Sequence, residues 1–242
     1  MTTFSVIVPF RNAERTIAET AASLIAQDCT EWEALFLDDG SSDASVQVLR
    51  GFADGRFRIL SEGPGAARGV ARTRNIGIRA SVGRYVAFLD ADDLWAPEKL
   101  SCQLRAFQQH EERIVFSSYR RFGGASGIVL AKPRVEWKDA LAGNPIGCLT
   151  GAFDTDFHGR AEMPEIPFHE DYAFWLSLLR RGPARGLPEV LAQYRVSPGS
   201  ASANKAKGVL AVWRILGAEG LPLPRRIAGV AGHVAGALRK RV

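Results

Sequence analysis

Over its first hundred residues the chain alternates short, almost wholly apolar runs with stretches of helical period, and no other feature narrows its fold so far. Residues 4–10 (FSVIVPF) read as a strand, followed by a helical pattern through Ile17, Ala21, Leu24 and Ile25. Residues 33–37 read as a second strand, then a helix through Val46, Leu49 and Phe52 with Ser42 or Asp43 at its N-cap. Residues 57–60 make a third strand, 66–80 a helix, and 85–89 (YVAFL) a fourth, nearly all-apolar strand. Such runs suit the interior of a parallel sheet covered on both faces, and parallel neighbours need helical crossovers between them. The fold class expected is α/β, with a mixed, mostly parallel sheet flanked by helices.

The alternation fades after about residue 113. Residues 113–122 and 128–132 have strand character, 136–142 a short helix, 170–181 helical apolar spacing, and 190–196 a last strand. Two C-terminal helices are expected at 204–217 and 225–241, with the GLPLP segment at 220–224 as the linker between them. This divides the chain into a body at 1–203, itself split near residue 112, and a helical appendage at 204–242. A body of that length can bury a core without disulfides or metal staples. The three cysteines, Cys29, Cys102 and Cys148, lie far apart and read as reduced, buried thiols.

Charge and hydropathy exclude other classes. The longest stretch free of Asp, Glu, Lys and Arg runs from Ala140 to Phe153, 14 residues with a proline and three glycines. A spanning helix needs about 20. Pro9 interrupts the only apolar run near the start, which has no basic region before it, so no signal peptide is expected. The chain therefore reads as cytoplasmic. The formal net charge is +5, yet from Asn204 onward eight Lys or Arg face one acid, Glu219, which leaves the body slightly acidic. That asymmetry points to an anionic surface met by the tail and not to nucleic acid gripped by the fold.

Ligands of open parallel sheets bind beyond the carboxyl ends of the strands, and the acids of this chain cluster there. Asp90-Ala91-Asp92-Asp93 follows the fourth strand. Three carboxylates within four residues repel one another unless a cation or donors compensate them. A D-x-D on extended backbone points both side chains the same way, and hard oxygen ligands at that density suit Mg²⁺ or Mn²⁺. The blander reading makes Asp92 or Asp93 the cap of a helix starting near Pro97, but one cap does not require three acids. Asp38-Asp39-Gly40-Ser41-Ser42-Asp43 follows the second strand, and two readings stand for it: a turn with an N-cap, or a carboxylate that accepts hydrogen bonds from a nucleobase or ribose.

Gly63-Pro-Gly65-Ala-Ala-Arg68-Gly69 misses the dinucleotide fingerprint, because the third glycine would fall at position 68. The helix after it carries Arg68, Arg72, Arg74 and Arg79, any of which could reach a phosphate. Glu170-Asp171, just after His169, starts a helix among aromatic residues. The helix dipole accounts for one acid there, and the functional reading makes one a general base with aromatics to pack a sugar ring. The four histidines have no metal-ligand spacing.

Taken together these segments resemble the family-2 glycosyltransferases of the GT-A fold. The marks are SVIVPFRNAE at 5–14, LDDGSSD at 37–43, ARTRNIG at 71–77, FLDADD at 88–93 and the acidic pair Glu170-Asp171. The match covers residues 3–100 well and 165–203 more loosely. It implies an inverting, metal-dependent transferase that moves a sugar from a nucleoside diphosphate, UDP by family expectation, to a glycan or lipid-linked acceptor in polysaccharide or glycoconjugate assembly. It also implies roles. Pro9 and Asp39 would hold the nucleobase, with Glu14 shaping the same pocket, and Arg74 would approach the base or diphosphate. Asp90 would contact the ribose or donor sugar, and Asp92 would bind the divalent Mn²⁺ or Mg²⁺. Asp171 would be the catalytic base, with Glu170 as the second candidate.

One departure stands out. Many relatives read Tyr-Arg-x-His after the last strand, and this chain has Tyr194-Arg195-Val196-Ser197, which removes a metal or diphosphate ligand. The Q-x-x-R-W signature of processive polymerases is missing, which implies transfer of single sugars. Two alternatives remain at this point: a nucleotide-sugar-binding protein without catalysis, and a sugar nucleotidyltransferase, for which residues 9–12 lack the required glycine-rich loop. The tail is open as well. Ile227, Val230, Ala231, Val234 and Leu238 share a helical face flanked by Arg225, Arg226, Arg239, Lys240 and Arg241, which suits either an anionic leaflet on the cytoplasmic side or packing on the body.

Overall fold

The computed structural model describes residues 2–61, 68–197 and 205–239. Its first half follows the expected alternation: β1 (Phe4–Phe10), α1 (Ile17–Ile25), β2 (Trp32–Asp38), α2 (Ser45–Arg50), β3 (Phe57–Ser61), α3 (Val70–Ala80) and β4 (Tyr85–Phe88). β1 pairs in parallel with β2 and β4, and β2 with β3, so three helical crossovers connect four parallel strands. All seven residues of β1 are buried, as a strand covered on both faces requires. Period-two alternation then sorts the strands into two cores. Ile7, Leu35, Leu37, Val86 and Phe88 enter one with Tyr172 and Trp175, while Val6, Val8, Phe36 and Ala87 enter the other with Leu24 and Leu100.

The second half is less regular. It contains β5 (Leu94–Trp95), α4 (Lys99–Gln109), β6 (Ile114–Gly123), β7 (Gly127–Val129), β8 (Arg134–Val135), α5 (Trp137–Ala140), β9 (Ala152–Asp154), α6 (Thr155–His158), α7 (Glu170–Leu179) and β10 (Ala184–Val196). A single 3₁₀ turn, Cys148–Thr150, precedes β9. β9 lies antiparallel between β4 and β6 and so joins both halves into one sheet, ordered β3-β2-β1-β4-β9-β6-β10-β5. The mostly parallel sheet flanked by helices is thus present, with antiparallel members confined to the second half.

Several local expectations change. The helix after β2 starts one turn later than expected, with Ala44 at its N-cap, and Phe52 lies beyond its end. Asp43 instead accepts the backbone N–H of Ser45. The helix after residue 93 has Glu98 at its N-cap, so neither Asp92 nor Asp93 caps it. The three cysteines are half-buried and unpaired. Residues 63–67 of the glycine segment and the basic residues Lys240 and Arg241 lie outside the described residues.

The C-terminal helices α8 (Lys205–Ala218) and α9 (Leu223–Arg239) form a hairpin through Gly220, whose φ of 75° favours glycine. α8 buries Val212, Ile215 and Leu216 in the same core as Tyr172 and Trp175. α9 divides its apolar residues. Val230 packs on that core, whereas Leu223, Ile227 and Val234 are exposed. Among the described residues, no helix is long and apolar enough to cross a membrane.

Candidate functional site

A cleft of about 680 Å³ opens at the carboxyl ends of β1, β2 and β4, within the range that takes small molecules. Pro9, Glu14, Asp39, Asp90, Asp92 and Ser197 line it. Its wall is made of two loops laced together. Asn12 adopts a left-handed φ of 51°, which asparagine tolerates. Its backbone N–H donates to Ser41 Oγ at 3.0 Å, and its Oδ1 accepts from Ser42 N–H at 2.8 Å. Glu14 N–H donates to Asp43 Oδ2 and Ala44 N–H to Glu14 Oε2, both at 3.0 Å. The 38–43 segment is therefore a real turn, and Glu14 fastens it while lining the cleft. Asp39 accepts the backbone N–H groups of Arg68 and Gly69 at 2.7 and 3.3 Å, which fixes its carboxylate at the rim.

The three acids after β4 diverge in role. Asp93 is fully buried, and burial first, then the charges of Asp90 and Asp92, push its pKa up to about 9, so it is a neutral acid at pH 7. One of its oxygens accepts Arg195 N–H at 2.7 Å, and the other is buried without a hydrogen-bond partner. Asp92 is also raised, by burial and by Asp90, but it faces the cleft. Arg195 ties this turn to β10 and α1 by donating to the Asp92 carbonyl and to Glu19.

Asp90 reaches the other half of the molecule through Arg74. The α3 helix lies close against the sheet, because a Cβ at Gly77 would come within 2.7 Å of Ile7. This sinks Arg74, one turn earlier, until its side chain is 4% exposed. Its guanidinium donates to Asp90 Oδ1 at 2.5 Å and to Glu170 Oε1 at 2.9 Å. It is not among the residues that line the cleft, although the sequence suggested contact with base or diphosphate. The neighbouring Asn75 clasps Met163 through both backbone groups, at 2.8 Å to the carbonyl and 2.7 Å from the N–H, and so pins the segment before α7.

Glu170 and Asp171 occupy the first turn of α7, where the helix dipole favours acids. Asp171 Oδ2 accepts Asn144 Nδ2 at 3.0 Å. Burial and then the Glu170 charge hold the Asp171 pKa above the usual carboxylate range, with Arg74 and His169 offsetting part of the rise. The aromatics that follow cannot pack a sugar ring, since Tyr172, Phe174 and Trp175 are fully buried core residues.

Pro9, Glu14, Asp39, Asp90 and Asp92 thus share the cleft, and Arg74 joins its floor to the Glu170–Asp171 pair. Asn75, Asn144 and Arg195 escaped sequence reasoning as functional residues. Only Arg195 had a visible signal, its place in the Tyr194–Ser197 segment.

The family model described as "Glycosyl transferase family 2" matches residues 5–152. TuaG of Bacillus subtilis, named for teichuronic acid biosynthesis, is 37% identical over 86% of this chain and 85% of its own length. A UDP-Glc:alpha-D-GlcNAc-diphosphoundecaprenol beta-1,3-glucosyltransferase of Escherichia coli, WfgD, is 32% identical over 88% and 85%. Among solved structures, S. aureus TarS in complex with UDP superposes with a TM-score of 0.74 at 21% identity, covering 96% of this chain and 71% of that one. A Pyrobaculum calidifontis mannosyltransferase with GDP-Man and Mn²⁺ gives 0.71 at 19%, covering 95% and 68%.

Proposed function

The chain belongs to glycosyl transferase family 2 and has the GT-A fold, and on that premise we propose that it moves a sugar, with inversion, from a UDP-sugar to a hydroxyl of a lipid-linked saccharide in cell-surface polysaccharide synthesis. One observation carries the reading: Arg74 joins Asp90, at the end of β4, to Glu170, the neighbour of Asp171. A cation buried between a donor-side and an acceptor-side carboxylate lets two negative groups flank one reaction centre without repelling each other. WfgD, whose printed name specifies a UDP-sugar donor and a diphosphoundecaprenol-linked acceptor, supports the choice of both substrates.

In this mechanism Pro9 and Asp39 hold the nucleobase, Glu14 stiffens the same wall, and Asp90 meets the ribose or donor sugar. Asp171 takes the proton of the acceptor hydroxyl while its oxygen attacks the anomeric carbon and the bond to the diphosphate breaks on the opposite face. Its raised pKa makes it a stronger base at neutral pH than an ordinary carboxylate. Glu170 is held by Arg74 and is the poorer candidate for that proton.

A divalent metal, Mn²⁺ or Mg²⁺, fits the donor set. Asp92 is a cleft-facing carboxylate whose ionised form is penalised by burial and by Asp90, a penalty that a bound cation removes. No group of three His, Cys, Asp or Glu converges among the described residues. Asp92 would therefore hold the metal with Asp90 beside it, and diphosphate and water would complete the shell. When bound, the metal would neutralise charge on the departing diphosphate. Ser197 lines the cleft where many relatives have histidine and adds no strong ligand.

The proposal extends to location. The exposed Leu223, Ile227 and Val234 of α9, together with exposed Arg225, suit an anionic cytoplasmic leaflet that carries the acceptor.

The test is Asp171→Asn, assayed with UDP-glucose and a GlcNAc-diphosphate-lipid, beside a thermal-shift series of UDP, GDP, dTDP and CMP with and without Mn²⁺. Turnover should fall about 10²–10⁴-fold, while the metal-dependent shift by UDP stays as in the unaltered protein. Wild-type turnover in the variant would sink the base assignment, and a shift by none of the nucleotides would sink the donor.

A further inference from the structure

We propose that Asn144 is the positioning residue of the Asp171 carboxylate, carried on a loop that the C-terminal helix α9 clamps from outside; the inference rests on Asp171 being the base. Asn144 lies between α5 and the Cys148–Thr150 turn. Its amide is held at both ends. Nδ2 donates to Asp171 Oδ2 at 3.0 Å, and Oδ1 accepts Ile146 N–H at 3.3 Å. A flipped amide would set a carbonyl against the carboxylate and an NH₂ against an N–H, so the network permits one orientation. Pro145 restricts the backbone of Asn144 as well.

The loop has little freedom to retreat. Tyr172, the residue after the base, donates its hydroxyl to the Ala140 carbonyl at 3.0 Å, which ties the loop's start to α7. On the outer side α9 crosses the same backbone through glycines. A Cβ at Gly229 would lie 2.8 Å from the Leu141 carbonyl oxygen, and one at Gly232 would lie 2.6 Å from that of Ala142. Helix and loop touch backbone to backbone there, two residues before Asn144.

The consequence is chemical. With Oδ2 held by Asn144, Oδ1 of Asp171 is the oxygen left to receive the acceptor's proton. The charged and titratable groups around this carboxylate are Glu170, Arg74, His169 and Cys148. Burial and Glu170 favour its neutral form, and the Asn144 donor favours the anion that must act as base.

The experiment compares Asn144→Ala and the isosteric Asn144→Asp, which cannot donate when ionised, with Asp171→Asn as control. The Asp171 carboxyl is titrated directly by difference infrared spectroscopy, its band being the one lost in Asp171→Asn. Both Asn144 variants should raise its midpoint by about one pH unit, the size of one hydrogen bond to a charged group. The acid limb of kcat should move by the same amount, with turnover at pH 7 down about tenfold and the KM for UDP-glucose within about twofold. Folded variants whose midpoint and acid limb both stay put, while Asp171→Asn is inactive, overturn the positioning role and leave the base in place. An active Asp171→Asn overturns both.

Discussion

Replacing Arg74 with methionine tests the link between the two halves of the site. The side chain is 4% exposed, and its partners Asp90 and Glu170 are 35% and 14% exposed. Breaking a buried ion pair by removing one partner costs about 3–5 kcal/mol, because a charge is left without compensation. Water already screens much of Asp90, so the penalty concentrates on Glu170, and we take the low end, about 3 kcal/mol. For a chain of this size that lowers the melting temperature by roughly 6–12 °C. The reasoning makes a sharper claim about recovery. If the orphaned Glu170 charge dominates, adding Glu170→Gln to Arg74→Met should restore more than half of the loss, although it removes a second native polar group. Melting curves at pH 7 for the two single variants and the double variant form a complete cycle. A double variant no more stable than Arg74→Met would refute the argument, as would a single variant within about 1 °C of the parent protein.

Two further outcomes follow from other parts of the molecule. His158 is buried edge-on against Phe153 and Phe157, and burial, then Arg181, lowers its pKa to about 4. Between pH 6.5 and 4 the unfolded chain binds a proton at this residue and the folded chain does not. Stability should therefore fall as pH drops through that window, by on the order of 3 kcal/mol, and urea midpoints of His158→Leu should be flatter over the same range. An equal slope in the variant would remove His158 from the acid response. On α9, Ile227→Asp with Val234→Asp should abolish sedimentation with vesicles containing phosphatidylglycerol without lowering the melting temperature, since both side chains are exposed. Undiminished sedimentation would place membrane contact elsewhere or nowhere.

Much of this protein was legible without its structure, and the reason is local. β1 spans the seven residues that its apolar run marks, and β2 to β4 lie within a residue or two of expectation, because a strand buried on both faces writes itself as a continuous apolar run. The strands that escaped notice are those too short to show a period: β5, β8 and β9 have two, two and three residues. The first half of β10 was hidden by Gly186 and Pro188, which interrupt its pattern where the pairing with β6 shifts register. The acids at the strand ends were visible for the same local reason, as was the position of Glu170-Asp171 at a helix start.

The sequence by itself determined the alternation of strand and helix, hence a sheet whose carboxyl edge collects Asp39, Asp90 and Asp92. It could do so because periodicity and turn chemistry involve residues within about ten positions of each other. What only the tertiary structure decided was partnership. Arg74 meets Glu170 across 96 residues, and Asn144 meets Asp171 across 27. Asp93 becomes a neutral acid while Asp92, its neighbour, turns to the cleft. The apolar stripe of α9 divides into an inner face that clamps a loop and an outer one left exposed. Each of these depends on which surfaces packing brings together and how much water it removes, and neither is encoded in the spacing of residues along the chain.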